Sequence, residues 1–224
     1  MSAATRAGRI VGVLTLAQMV GGGLVNFVLA APLFGPPGYL VNAAPHSLQI
    51  AVSVLFGLVA GALPLAMAIT AFPIFRQYAS ALALWFVALA SVGLAVATLE
   101  QINVMSMLSL SEAYTAASAA EREPFQGLRT VVSSARNWSH FIGLMVNGST
   151  IFVLYTALYR FALVPRALAA FGLAAVLLQI SAVARPLFGY DIVFVMLAPL
   201  GVSQLVLALW LIAKGFREPP TPKS

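Results

Sequence analysis

The stretch from Ile10 to Phe75 contains no Asp, Glu, Lys or Arg. About 20 apolar residues in a helix are enough to cross the hydrocarbon layer of a membrane, so this stretch is long enough for more than one crossing. It is interrupted at Gly35-Pro36-Pro37-Gly38, a cluster that ends one helix and begins a loop. Charged residues make up 8% of the chain, whereas a soluble domain needs about 25%. The sequence therefore predicts an all-α, polytopic transmembrane protein.

The remaining uncharged runs complete a bundle of six transmembrane helices within a single domain that covers residues 1–224. A polar segment at 111–137 holds three of the six acidic residues and is predicted as an outer loop that is partly helical. The six predicted helices cover about 10–33, 47–75, 80–108, 138–159, 167–184 and 192–213.

The distribution of basic residues predicts the orientation, because Lys and Arg are enriched in cytoplasmic loops. Four basic residues lie on one side of the predicted helices: Arg122, Arg129, Arg136 and Arg185. The other eight lie on the side of the termini: Arg6, Arg9, Arg76, Arg160, Arg166, Lys214, Arg217 and Lys223. Both termini are therefore expected in the cytoplasm. The alternative for the first helix is a cleaved signal peptide, with Val28-Leu29-Ala30 as its cleavage site.

Composition also excludes several classes of function. The chain has no cysteine, which removes disulfides, thiolate metal sites and cysteine nucleophiles. Its formal net charge is +6, but the basic residues stand singly at the ends of apolar runs, so we expect no nucleic-acid partner. Membrane lipids and a small-molecule ligand are the expected partners, and the sequence does not predict an oligomeric state.

Polar side chains lie near the predicted outer ends of several helices, where they could line a pocket that opens away from the cytoplasm. Eight of them are candidate ligand-binding residues: Glu100, Gln101, Asn103, His140, Asn26, Gln179, Arg185 and Asp191. Glu100 follows a long uncharged run, and it could pair with Arg185 or Arg136, bind a cation or carry a proton. The alternative is that all these residues are interfacial, wetted by lipid headgroups or hydrogen-bonded between helices.

A metal or haem site is a weaker hypothesis, and we predict no cofactor. A catalytic zinc normally takes three protein ligands, and His140, Glu100 and Asp191 could supply them, but no metal-binding spacing motif is present. A bis-histidine haem would need His46 and His140 to face each other. No catalytic residue can be assigned.

Three carboxamides lie nearer the middle of the predicted helices, namely Gln18, Asn147 and Gln204. On depth alone, at 1.5 Å per residue, Gln204 is expected far from His140. We therefore predict two separate polar features. His140 should group with Glu100, while Gln204 should bond between helices near Asn147 or Gln18.

Short motifs along nearly the whole chain resemble the bacterial domain-of-unknown-function 4386 family of six-helix membrane proteins. They are Arg9-Ile10-x-Gly12-x-Leu14-x-Leu16, His140-x-x-Gly143, Tyr159-Arg160, Pro165-Arg166-x-Leu168-x-x-x-Gly172 and Leu207-Ala208-Leu209-Trp210-Leu211. The resemblance implies a multi-pass protein of the bacterial inner membrane, and the family has no established reaction. The chain departs from the family's pattern twice: a histidine is usual near Ser149, and a glutamate is usual where Gln204 stands.

Three functions remain open from the sequence. The first is binding or transport of a small or lipid-like ligand through the outer-facing polar pocket. The second is a membrane-embedded hydrolase that uses His140 with Glu100 or Asp191, with or without a metal. The third is a structural or regulatory membrane subunit. A non-enzymatic function is favoured, because no catalytic motif is present.

Overall fold

The computed structural model describes residues 1–217 and confirms an all-α helical bundle, with no strand in that part of the chain. Six helices are long and apolar enough to cross a membrane, so the chain is a multi-pass membrane protein. They are α1 (Ala3–Leu24), α2 (Ser47–Phe75), α3 (Ser80–Ala116), α4 (Glu123–Arg160), α5 (Arg166–Ala184) and α6 (Ala198–Lys214).

Short helical segments continue or connect these helices. A π-helical turn, Val25–Leu29, extends α1 directly after its glycine cluster. Two single-turn helices, Ala31–Phe34 and Tyr39–Asn42, flank the Gly-Pro-Pro-Gly breaker, and a 3-10 turn, Ala44–His46, leads into α2. Further 3-10 turns are Ala119–Glu121, Arg185–Phe188 and Phe194–Met196.

The described residues divide into two compact units, and the prediction of a single domain stays a prediction. Unit 1 consists of Met1–Met19, Ala62–Gly93 and the chain from Leu144 onward. Its core contains Phe75, whose ring centroid lies 5.7 Å from that of Phe86 and 5.9 Å from that of Phe216. Close packing of α1 on α6 depends on Gly12, because a Cβ there would lie 2.8 Å from the carbonyl oxygen of Ala208.

Unit 2 consists of Val20–Gly61 and Leu94–Gly143 and has its own apolar core. The core joins the segment before α2 to α3; its members include Leu33, Tyr39, Leu40, Ile50, Val104, Met107 and Leu108. Ser111 ties the two parts together: its Oγ accepts from the amide of Ala44 and donates to the carbonyl of Leu40, both at 2.9 Å. Burial raises the pKa of Tyr39, whose hydroxyl donates to the carbonyl of Arg129 at 3.1 Å.

Helices α3 and α4 are much longer than a bilayer requires. They contain 37 and 38 residues, or about 55 Å at 1.5 Å per residue, against a hydrocarbon layer of about 30 Å. Each helix therefore continues beyond the lipid tails into the headgroups or water.

The helix bounds differ from the predicted ones where polar sequence follows apolar sequence. Helix α3 continues to Ala116 rather than ending at 108, and α4 begins at Glu123 rather than at 138, so the segment 111–137 is mostly helical. No proline or glycine interrupts 109–116, and packing in unit 2 supports the extra turns. The first helix begins at Ala3 and breaks after Leu24, and the last begins at Ala198 rather than at 192. Lys223 lies outside the described residues.

Candidate functional site

The clearest polar cluster in the molecule lies in unit 2 and has Glu100 at its centre. One carboxylate oxygen, Oε1, accepts a hydrogen bond from Nη2 of Arg136 at 2.8 Å. The same oxygen lies 2.9 Å from Nδ1 of His140. A carboxylate, a guanidinium and an imidazole thus share one acceptor atom, and we call these three residues the charged cluster.

The helical repeat explains how two helices build this cluster. Arg136 and His140 are four residues apart on α4 and therefore project from one face of the helix. Glu100 and Asn103 are three residues apart on α3 and face α4 in the same way. Asn103 donates through Nδ2 to Oγ of Ser139 at 3.0 Å. The two helices are therefore joined by a charged contact and a neutral contact about one turn apart.

The charged cluster is largely buried but not sealed. The exposed fraction of the side chain is 9% for Arg136, 16% for Glu100 and 24% for His140. The guanidinium carbon of Arg136 lies 4.7 Å from the centroid of the Phe34 ring, which is cation–π distance. Glu100 is the one carboxylate that pairs with Arg136 within residues 1–217. The stability of the buried guanidinium therefore depends on Glu100 and on Phe34.

The contact with Glu100 sets the hydrogen-bonding role of His140. A neutral imidazole that donates from Nδ1 to the carboxylate must present Nε2 as an acceptor, and a protonated ring presents Nε2–H as a donor. Within the described part of the chain, Nε2 has no hydrogen-bond partner. The charged cluster therefore offers an oriented nitrogen that can take a proton, give a proton or bind a ligand.

Other predicted site residues in unit 2 make contacts of their own. Gln101 is buried and packs against α2 at Gly57, where a Cβ would lie 2.6 Å from Cδ of Gln101. Asn26 donates to the carbonyl of Gly22 within its own helix at 2.9 Å. His46 is exposed, and its Nδ1 lies 2.8 Å from the carbonyl of Asn42.

The predicted site residues in unit 1 form two separate arrangements. Gln179 is buried and donates to the carbonyl of Leu144 at 3.3 Å, while its Oε1 has no partner in the described residues. Arg185 donates from Nε to the backbone carbonyl of Asp191 at 2.8 Å, and its guanidinium lies over the ring of Tyr190. The arginine therefore caps its own loop, and the carboxylate of Asp191 is exposed.

Residues 1–217 contain no group of three His, Asp or Glu side chains close enough together to bind a metal ion. The three candidates for a zinc site, His140, Glu100 and Asp191, are not such a group. In the charged cluster one carboxylate oxygen of Glu100, Oε1, is already shared between Arg136 and His140.

The three deeper carboxamides lie around one cavity in unit 1. Gln18 donates from Nε2 to Oδ1 of Asn147 at 3.4 Å, and Gln204 lines the same cavity. The structure thus brings Glu100 together with His140 and, separately, places Gln204 on the same cavity as Gln18 and Asn147, but the predicted hydrogen bond from Gln204 to either of them is not formed.

Sequence reasoning named Arg136 only as one of two arginines that could pair with Glu100, and it missed Phe34. A usable signal was present for the arginine, because its spacing of four from His140 places both on one helix face. No sequence signal indicates Phe34, since its approach to Arg136 depends on how the Gly-Pro-Pro-Gly segment folds.

Comparison with known proteins gives one match. A family model with the description "Domain of unknown function (DUF4386)" matches residues 10–215. No curated protein and no solved structure matches the chain.

Proposed function

The chain belongs to the DUF4386 family and spans a membrane, and from this premise we propose that it binds or transports a small or lipid-like ligand at the charged cluster. The observation that carries the proposal is the shared hydrogen bonding of Glu100, Arg136 and His140 between two transmembrane helices. Ionisable residues in such helices are costly and are commonly kept for function.

The exposed part of the cluster indicates the chemistry of the ligand. Oε1 of Glu100 is already shared by its two partners, whereas Nε2 of His140 has no bond among the described residues, and the His140 side chain is 24% exposed. Aromatic rings lie close by: Phe34, which is 51% exposed, contacts Arg136, and the ring centroid of Phe141 lies 6.1 Å from that of His140. A ligand with one polar group that bonds the imidazole and an apolar body that contacts these rings would satisfy both features. Lipid-like molecules have this form.

The direction in which the cluster opens is part of the proposal. The excess of basic residues on the side of the termini favours cytoplasmic termini in a bacterial inner membrane. In that orientation the charged cluster lies on the outer side and receives its ligand from there or from the outer leaflet.

The experiment compares molecules that co-purify with the wild type and with His140→Phe, measured by native mass spectrometry in detergent. Phenylalanine keeps the ring volume and removes both nitrogens, so we expect the adduct to disappear. Gln77→Leu is the control, because Gln77 is exposed in the turn after α2 and its side chain bonds only to the nearby carbonyl of Pro73. Equal adducts in all three proteins would contradict the proposal. Absence of any adduct from the wild type would favour a structural or regulatory subunit.

The orientation of His140 by Glu100 favours hydrolysis as a second candidate function. In that reaction Nε2 accepts a proton from a water molecule as its oxygen attacks an ester carbonyl. The protonated ring then returns a proton to the leaving alkoxide, so the imidazole ends unchanged. Release of p-nitrophenol from p-nitrophenyl esters tests this: activity lost in His140→Phe and kept in Gln77→Leu would support an enzyme.

A further inference from the structure

Three carboxamides from three transmembrane helices converge on one cavity within unit 1. Gln18 comes from α1, Asn147 from α4 and Gln204 from α6, and Thr15 and Thr150 add hydroxyl groups to the lining. The empty space is about 340 Å³ including its open mouth, and the part available to the centre of a water molecule is about 10 Å³. That room is close to the minimum for one water molecule.

The hydrogen bonds within the protein leave much of this polar lining without partners. The bond from Gln18 to Asn147 is long, at 3.4 Å. The side-chain amide of Gln204 makes no hydrogen bond to any residue between 1 and 217. Thr15 and Thr150 each donate their hydroxyl proton to a carbonyl of their own helix, at 2.8 and 3.0 Å. Both hydroxyl oxygens therefore keep lone pairs that can accept a hydrogen bond.

A carboxamide inside a bilayer cannot be left without hydrogen bonds at low cost. No water reaches the lipid tails to replace the missing partner, and an unsatisfied amide there is unfavourable. In a dry cavity the amide of Gln204 would bear this cost in full, and the amides of Gln18 and Asn147 would be relieved only by the one long bond between them. A guest that both donates and accepts hydrogen bonds removes the cost for all of them at once.

We infer that this cavity is a binding site for water, held between the amides of Gln18, Asn147 and Gln204. The lining contains no charged side chain, so an ion would have no counter-charge there. Water has the right size and serves carboxamides both as donor and as acceptor. Ordered water in such sites commonly makes about three hydrogen bonds, which matches the number of amides.

The first test replaces Gln204, because it has no protein partner to lose in the described residues. Methionine has nearly the same length without the amide. If water bridges Gln204 to the other amides, Gln204→Met lowers the melting temperature in detergent by roughly 2–4 °C, as expected when one net hydrogen-bonding interaction is lost. If the cavity is dry, the same change removes an unsatisfied amide and leaves the melting temperature unchanged or higher. Gln77→Met, at an exposed position, is the control.

The second test uses the wild type and so does not depend on a variant that folds. Brief X-ray irradiation splits water into hydroxyl radicals, which oxidise methionines beside bound water. Met67 lines the cavity and is 5% exposed, while Met107 is 2% exposed within the apolar core of unit 2. Oxidation of Met67 well above that of Met107, read by mass spectrometry, supports the inference. Equal protection of both methionines overturns it, as does an unchanged or raised melting temperature for Gln204→Met.

Discussion

Replacing Glu100 by glutamine tests how much the charged cluster stabilises the fold. The change leaves the guanidinium of Arg136, whose side chain is 9% exposed, without a carboxylate in the described residues. Removing one partner of a buried ion pair costs about 3–5 kcal/mol. Glutamine keeps a carbonyl acceptor and the site is partly open, so we expect the lower limit, about 3 kcal/mol.

The opposite substitution, Arg136→Met, should cost less, because Glu100 has two partners and Arg136 has one. His140 stays 2.9 Å from the carboxylate and keeps one hydrogen bond to it. The expected loss is that of one charged hydrogen bond, about 1.5–3 kcal/mol. In the double variant no buried guanidinium remains, so its cost should be well below the sum of the two single costs.

The assay is thermal unfolding of the purified protein in one detergent for the wild type, both single variants and the double variant. A loss of 1 kcal/mol shifts the melting temperature by about 2–4 °C in a chain of this size. Glu100→Gln should therefore lower it by about 6–12 °C. Additive shifts in the double variant, or a larger shift for Arg136→Met than for Glu100→Gln, would refute the reasoning.

Three further predictions follow from single contacts. Gly172→Ala should destabilise the protein by about 1–3 kcal/mol, because the added Cβ would overlap the ring of Tyr155. Gly22→Ala is the control, since a Cβ at Gly22 meets nothing within 4 Å. The melting temperatures of the two variants are compared with that of the wild type. Tyr155→Phe removes the buried 2.7 Å hydrogen bond to Ser203 and should cost about 1 kcal/mol in the same assay. Cysteine at Ser118, a cap exposed to solvent, should react with an impermeant maleimide in intact cells, and labelling only after lysis would contradict the proposed orientation.

The sequence predicted the transmembrane helices well and their ends poorly, for a physical reason. Long apolar runs without charge predict transmembrane helices, because the side chains that face lipid must be apolar. The extensions of α3 and α4 into polar sequence depend instead on packing within unit 2, where Val104 and Met107 bury their side chains. Spacing along one chain does not reveal which partner supplies that packing.

In the candidate site, too, the sequence predicted some contacts, while others depend on tertiary packing. Topology alone was enough to group Glu100 with His140, since both lie near one end of the predicted bundle. It could not choose between Arg136 and Arg185, and the latter bonds a carbonyl of its own loop. The orientation of the Gln101 side chain also depends on a contact between helices, because this side chain packs into the space left by Gly57 on α2.

The two contacts between α3 and α4 bear on how the protein responds to membranes of different thickness. Helices in lipid can adjust to a thinner bilayer by tilting. A slide of one helical turn, about 5.4 Å, would break the bonds of Glu100 to Arg136 and of Asn103 to Ser139 together. Where these bonds join them, the two helices should therefore tilt together in a thinner bilayer.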